Sequence, residues 1–292
     1  MLDAIDLHKR YGPVAALDGF HLTVKPGEIV GLIGHNGAGK TTFAETVTGL
    51  IRPDSGQVQI DGIDAIRQPR AARARIGYAP QELGLYPTAT VRQNLAVFGR
   101  LHGLRRRALT NAIDRTAEDL VLTDVLDRPV GILSGGQRRR AQAATALLHE
   151  PPVLLLDEPT AGADPDTRDA LLATVAARAR AGTAVCYTTH YLPELDQLGA
   201  TIAVAAHGRV IARGDRETLV GGLSGHATVA YPDGTETTVT GADPIRALVD
   251  LLARGPAPIG IDLHRPTLDD LYRQLADSHA ATDALFASGG AR

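Results

Sequence analysis

The sequence predicts an α/β layered fold, and three observations carry that expectation. The short apolar runs VLLLD (153–157) and TAVCYTTH (183–190) lack alternation, as strands buried on both faces do. Helical spacing fills stretches between such runs, so strand, helix and strand repeat along the chain. Residues 85–150 hold no strand-like run and read as a helical insertion.

In chain order, EIVGLIG (28–34) is a short apolar strand ending in glycine, and TTFAETVTGLI follows with helical spacing. After the insertion and VLLLD comes the helix DPDTRDALLATVAARARAG. Asp164 fits its cap, Pro165 its first position and Gly182 its stop. TAVCYTTH and TIAVAAHGRVIARG (201–214) are further strands. After about residue 220 the character changes. GGLSGHATVAYPDGTETTVTG reads as a linker and a short hairpin turning at Asp233–Gly234. A helix over about 243–254, a strand over 258–263 and a second helix over 266–278 complete a small second domain. The expected divisions are 1–220, 221–280 and a disordered tail, 281–292. The sequence shows no internal repeat.

With 292 residues, 44% hydrophobic and 22% charged, the chain has the composition of a globular protein of one large domain, or one domain plus a small one. A net charge of -3 gives no electrostatic case for nucleic acid, and the absence of tryptophan leaves few stacking platforms for single strands. Cys186, the single cysteine, rules out an internal disulfide, fits a reducing compartment and sits in a strand pattern that places it in the core. No apolar run reaches the roughly 18 residues of a membrane span. The mixed, acidic N-terminus MLDAIDLHKRYG is not expected to be a signal peptide. Arg105–Arg107 and Arg138–Arg140 read as solvated helical faces.

The stretch GHNGAGKTT (34–42) carries the chemistry. It holds Lys40, one of only three lysines in a chain that otherwise uses arginine for positive charge. A lysine kept there suggests a site that needs a compact ammonium. Strand, GHNGAGK and helix together make the setting that G-x-x-x-x-G-K-[ST] requires. Gly34, Gly37 and Gly39 would let backbone N–H groups point at a phosphate chain, and the helix dipole adds to them. Lys40 would reach the β- and γ-phosphates, and Thr41 would bind Mg²⁺. In VLLLDEPT, Asp157 ends a buried strand, where open α/β sheets place ligands, and can hold Mg²⁺. Glu158 follows directly and can take a proton from, or orient, an attacking water. In LSGGQ (133–137), Ser134 and Gln137 fit a capping box. Yet Gly135 and Gly136 cost a helix about 1 kcal/mol each, and bare backbone at a helix start is a second anion site. This one lacks a lysine and a metal ligand, so the economical explanation is closure over a phosphate held by another P-loop.

On these motifs the chain resembles the ATP-binding subunits of ATP-binding-cassette (ABC) transporters over about residues 1–220. The resemblance implies a P-loop NTPase core of the ABC ATPase type, an antiparallel β subdomain, a helical insertion and a small α+β C-terminal domain. GHNGAGKTT matches the Walker A loop, which places Gly34, Asn36, Gly37, Ala38, Gly39, Lys40, Thr41 and Thr42 around the phosphates. Tyr11 matches the aromatic that stacks on adenine. Gln81, in YAPQELGLYPTATVRQNL, matches the Q-loop that senses Mg²⁺ and faces the membrane partner. LSGGQ matches the family signature, bringing Ser134, Gly135, Gly136 and Gln137 to the nucleotide. VLLLDEP matches Walker B, with Asp157 for Mg²⁺ and Glu158 as general base. Asp164 matches the D-loop, and His190, in YTTHYLPEL, the switch histidine at the γ-phosphate. His35, Thr42 after Thr41, and Ala163 depart slightly from the usual pattern.

HRPTLDDLYRQLADS (264–278) is similar to the closing segment of the drug-exporter, daunorubicin-resistance-like group. The resemblance implies ATP and Mg²⁺ as cofactors, a second ABC ATPase subunit as a homodimer partner, a separate integral-membrane permease and a place at the cytoplasmic face of the membrane. A soluble ABC ATPase acting on nucleic acid or ribosomes is the other class. Its translation branch usually carries two cassettes and its repair branch zinc or coiled-coil insertions, and this sequence has one cassette and no such insertion.

Overall fold

The structure is a computed structural model that describes residues 1–241, 243–253, 255–264, 266–267 and 270–271. It divides into two compact units, Met1–Arg213 and Gly214–Arg292.

The first unit opens with strands β1 (Leu2–Tyr11) and β2 (Val14–Val24), then β3 (Ile29–Ile33) and helix α1 (Lys40–Val47). Strands β4 (Ser55–Ile60) and β5 (Ile63–Asp64), helix α2 (Pro69–Arg73) and strand β6 (Ile76–Ala79) follow. Three helices come next: α3 (Val91–Leu101), α4 (Arg106–Asp119) and α5 (Gly135–Leu147). The unit closes with β7 (Val153–Asp157), α6 (Pro165–Arg180), β8 (Ala184–Thr188), α7 (Pro193–Leu198), β9 (Thr201–Ala206) and β10 (Arg209–Gly214). These strands make two sheets, β2-β1-β4-β5 and β10-β9-β3-β8-β7-β6.

The first sheet is antiparallel in its β1–β2, β1–β4 and β4–β5 pairs. In the second, β3 pairs in parallel with both β8 and β9, and β7 with both β6 and β8. Every residue of β3, β7 and β8 is buried, which is why their sequences show no alternation. The run 201–214, read as one strand, is two, joined through the positive-φ residues His207 and Gly208. Phe43 on α1 stacks on Phe20 of β2, ring centroids 4.8 Å apart, so α1 is packed against the antiparallel sheet. Each such buried large side chain contributes about 1.5–3 kcal/mol.

Residues 85–150 form α3, α4 and α5 as expected, but α5 is no solvated helix. Arg140 is buried and donates to Thr167 Oγ1 at 3.0 Å. Arg138 and Arg139 are half-buried, and Arg139 donates to the Gln81 carbonyl. The reason is the approach of α5 to the sheet. A Cβ on Gly77 of β6 would lie 2.1 Å from the Ala146 carbonyl oxygen, and Ala141, Ala143, Ala144 and Ala146 are buried. Small residues on both elements let helix backbone meet strand backbone and draw the arginines in. Arg105–Arg107 are exposed, as expected, and Cys186 is buried, its thiol pushed up to about 12 by desolvation.

The second unit holds helix α8 (Arg216–Val220), strands β11 (Gly225–Ala230) and β12 (Glu236–Gly241), helix α9 (Pro244–Leu252) and strand β13 (Gly260–His264). Its sheet has the order β12-β11-β13. Ala227, Val229, Tyr231 and Leu248 form its small core. The hairpin turn is wider than two residues: Gly234 N donates to Tyr231 O and Thr235 N to Asp233 Oδ1, both at 3.0 Å. The expected helix over 266–278 falls mostly outside the described residues, and the tail 281–292 wholly so. Among the described residues, no helix is long and apolar enough to cross a membrane.

Candidate active site

The loop between β3 and α1 is shaped by glycines with different duties. Gly34 is needed for packing, since a Cβ there would lie 2.4 Å from the Ala205 carbonyl oxygen. Gly37 (φ 85°) is conformational, because no atom lies within 4 Å of a built Cβ. Gly39 combines both constraints, with φ 101° and a built Cβ 2.6 Å from the Ala16 carbonyl oxygen. Lys40 folds back over the loop and donates from Nζ to the carbonyls of Gly34 and His35, the latter at 3.1 Å. Burial holds its ammonium below lysine's ordinary pKa, and the Asp157 and Glu158 carboxylates oppose that shift.

Facing the loop is the carboxyl end of β7. Asp157 is buried and accepts from the Thr188 hydroxyl, its neighbour across the β7–β8 register. The same Thr188 oxygen accepts from the Glu158 amide at 3.1 Å. Glu158 has φ 48°, a left-handed conformation that costs a bulky residue about 1–3 kcal/mol. Its carboxylate is bracketed. Oε1 lies 2.8 Å from His190 Nε2, and Oε2 accepts from Gln81 Nε2 at 3.1 Å. The carrier of Gln81 is itself pinned, because Gly84 N donates to Gln142 Oε1 at 3.1 Å and Gln142 Nε2 to the Glu82 carbonyl at 3.3 Å.

These groups line one open cavity of about 420 Å³. Its lining includes Asn36, Gly37, Gly39, Lys40, Thr41 and Thr42 of the loop and helix start, together with Gln81, Asp157, Glu158 and His190. Thr41, Gln81 and Asp157 offer a hydroxyl, an amide and a carboxylate in the same space. That hard-oxygen set suits Mg²⁺, which commonly takes one or two carboxylates and completes its shell with water and substrate phosphates. Among the described residues, no three His, Cys, Asp or Glu side chains converge as a metal cage.

Other expected residues lie elsewhere. Gly34 and Ala38 are buried beneath the loop and do not line the cavity. Tyr11 ends β1, 49% exposed, with the Lys9 ammonium 5.7 Å from its ring centroid, and it too is absent from the lining. Val14 and Ala16 of β2 line the wall instead. Short aliphatics in a strand give no sequence signal of that duty. Thr188 was likewise missed, since only the β7–β8 register puts it opposite Asp157.

Ser134 and Gln137 form the full capping box of α5, at 3.2 and 3.0 Å. A Cβ on Gly136 would lie 3.5 Å from Ala163 Cα and 3.7 Å from Asp164 Oδ2. Asp164 caps α6 and accepts from the Thr167 hydroxyl at 2.7 Å, and these bonds hold its carboxyl below the ordinary aspartate range. Ser134, Gly135, Gly136, Gln137 and Asp164 therefore sit in a second cluster and do not line the cavity of their own chain.

A lysine-bearing glycine loop between a buried strand and a helix, faced by an Asp–Glu pair at the end of a neighbouring strand set, defines a P-loop nucleotide-binding ATPase. Residues 17–161 match the family model described as ABC transporter. The chain is 39% identical to the daunorubicin resistance ATP-binding protein DrrA2 of Streptomyces coeruleorubidus, over 92% of each chain. It is 34% identical to the doxorubicin resistance ATP-binding protein DrrA of Mycobacterium tuberculosis, over 96% of this chain and 94% of that one. Among solved structures it is similar to an ATP-binding subunit of an ABC transporter, with TM-score 0.73, 25% identity, and 94% and 99% of the two chains covered. A dimeric ATP-binding cassette in a post-hydrolysis state, bound to ADP and Pi, is similar at TM-score 0.66 and 25% identity, over 74% and 98%. The chain belongs to the ATP-binding subunits of ABC transporters and is an ATPase. Cassettes of this family function as dimers with a membrane permease partner.

Proposed function

We propose that this chain is the motor subunit of an exporter, pairing with a second copy and driving a separate permease from the cytoplasmic face of the membrane. The observation that carries the reading is the Glu158 carboxylate, bracketed by Gln81 and His190 across a cavity whose loop carries Lys40. Lys40 and the loop amides bind the β- and γ-phosphates of ATP. Thr41, Asp157 and Gln81 would hold magnesium, which would neutralise charge on those phosphate oxygens when bound. Glu158 orients a water and accepts its proton as the water oxygen bonds to the γ-phosphorus and the bond to the β-phosphate oxygen breaks. His190, in contact with Glu158, contacts the γ-phosphate. Tyr11, outside the cavity lining, stacks on adenine.

The cluster of Ser134–Gln137 and Asp164 serves the nucleotide of the partner copy, so that ATP closes the dimer. This fits an exposed helix start that its own cavity does not use. Export is supported by the drug-resistance names of relatives matched over nearly the whole chain. The region 221–280 is an accessory domain that modulates coupling. The test is ATPase activity of the full chain with and without a co-expressed permease. Permease-dependent stimulation by a transported compound is expected, and failure to co-purify with any membrane partner refutes the motor reading.

A further inference from the structure

Outside the cavity, among the described residues, one carboxylate is almost wholly buried. Glu194 of α7 is 1% exposed. Its Oε1 accepts from Thr160 Oγ1 at 2.6 Å, and its Oε2 from the Tyr187 hydroxyl at 3.0 Å. Arg168 Nε lies 3.2 Å from Oε1. A buried carboxylate carries a desolvation penalty of several kcal/mol, offset only by close charge and hydrogen bonds. Stability alone gives a weak reason for this cluster, because an apolar replacement of similar volume commonly does as well.

Its partners come from the segments that carry the reacting groups. Thr160 lies two residues after Glu158. Tyr187 directly precedes Thr188, whose oxygen is bonded to both Asp157 and the Glu158 amide. Arg168 follows the D-loop, its amide donating to the Asp164 carbonyl at 3.0 Å. The Arg168 guanidinium carbon stands 4.7 Å over the ring of Tyr191, the residue after His190. Glu194 N donates to the Tyr191 carbonyl at 3.1 Å, closing the ring of contacts. Burial first, and the Glu194 charge second, hold the Tyr187 phenol above its ordinary value, so it stays a hydrogen-bond donor.

We infer that Glu194 is a positioning residue for ATP hydrolysis. Its carboxylate ties the segment after Glu158, the end of β8 and the start of α6 into one arrangement, and so fixes the Glu158–His190 geometry. It does not line the cavity. The inference rests on the roles proposed above for Glu158 and His190.

The test compares full-length Glu194→Gln with the wild type by steady-state ATPase and by nucleotide-binding stoichiometry with a non-hydrolysable ATP analogue. Misplacement of about 1 Å in a reacting group costs up to about 10²-fold, so kcat should fall roughly 10- to 100-fold while KM and stoichiometry stay within about twofold. Tyr187→Phe removes one hydroxyl and no charge, and should lower kcat by about 3- to 10-fold with the same split. Arg168→Gln combined with Glu194→Gln should cost clearly less than the product of the single losses, because both act through one cluster. An unchanged kcat in Glu194→Gln overturns the inference, as does a kcat loss matched by an equal loss of binding stoichiometry. If Glu194→Gln fails to fold, an unchanged kcat in folded Tyr187→Phe overturns it. Glu158→Gln is run beside these variants. Full turnover there refutes the base assignment, whereas full turnover in Glu194→Gln alone refutes only the present inference.

Discussion

Glu158→Gln isolates the proposed proton acceptor from everything around it. The amide is the size of the carboxylate, so the left-handed backbone at φ 48° and the bonds of its N–H to Thr188 are untouched. Its oxygen can keep the hydrogen bond from Gln81 Nε2, now at 3.1 Å, and its NH₂ then faces His190 Nε2, now 2.8 Å from the carboxylate. A neutral imidazole accepts there, and both contacts survive. What disappears is the group proposed to take the water's proton. A positioned general base contributes about 10²–10⁴-fold, or roughly 2.7–5.4 kcal/mol of barrier at 1.36 kcal/mol per decade. Phosphate release at saturating ATP and Mg²⁺ should fall by that factor while nucleotide affinity is retained, and size-exclusion in ATP should reveal an accumulating dimer. Turnover within about threefold of wild type would be below any general-base contribution and would move the role elsewhere, with His190 the next candidate.

Lys40→Ala should abolish tight ATP binding in equilibrium titration, because it removes the lysine proposed to bind the β- and γ-phosphates; unchanged affinity would refute the phosphate-loop assignment. Gly39→Ala should destabilise the chain by about 2–4 kcal/mol in urea unfolding, combining a left-handed penalty with forced contact on the Ala16 carbonyl; a change below about 0.5 kcal/mol would show the loop relaxes freely. Ser134→Arg should block dimer closure yet spare ATP binding in the same chain. Mixing it with Lys40→Ala chains leaves one wholly intact site per mixed dimer. ATP-driven dimerisation should therefore return, and its absence from folded chains would reduce Ser134 and Gln137 to a helix cap.

Local interactions wrote the legible parts of this protein. The loop GHNGAGKTT folds as read because Gly37 and Gly39 need left-handed backbone and Lys40 reaches only six residues back. The caps at Asp164 and Ser134 bond to amides three residues on, so each could be read without knowing the fold. β7 and β8 announced themselves because strands covered on both faces must be apolar throughout.

Contacts between distant segments carry no such signature. No local pattern in the sequence bonds Gln81 to Glu158, 77 positions away, or Thr188 to Asp157; the β6–β7 and β7–β8 registers bring them together. Arg140 reads as a surface charge in a basic run and is drawn under because Gly77 lets α5 close on β6. Glu194 looks like an ordinary helical acid until Thr160, Tyr187 and Arg168 converge on it from three segments. The sequence thus determined which chemistry is present, through backbone conformations and caps that a few neighbouring residues fix. Tertiary structure decided which groups face one another, because that depends on strand register and on how closely a helix can approach a sheet.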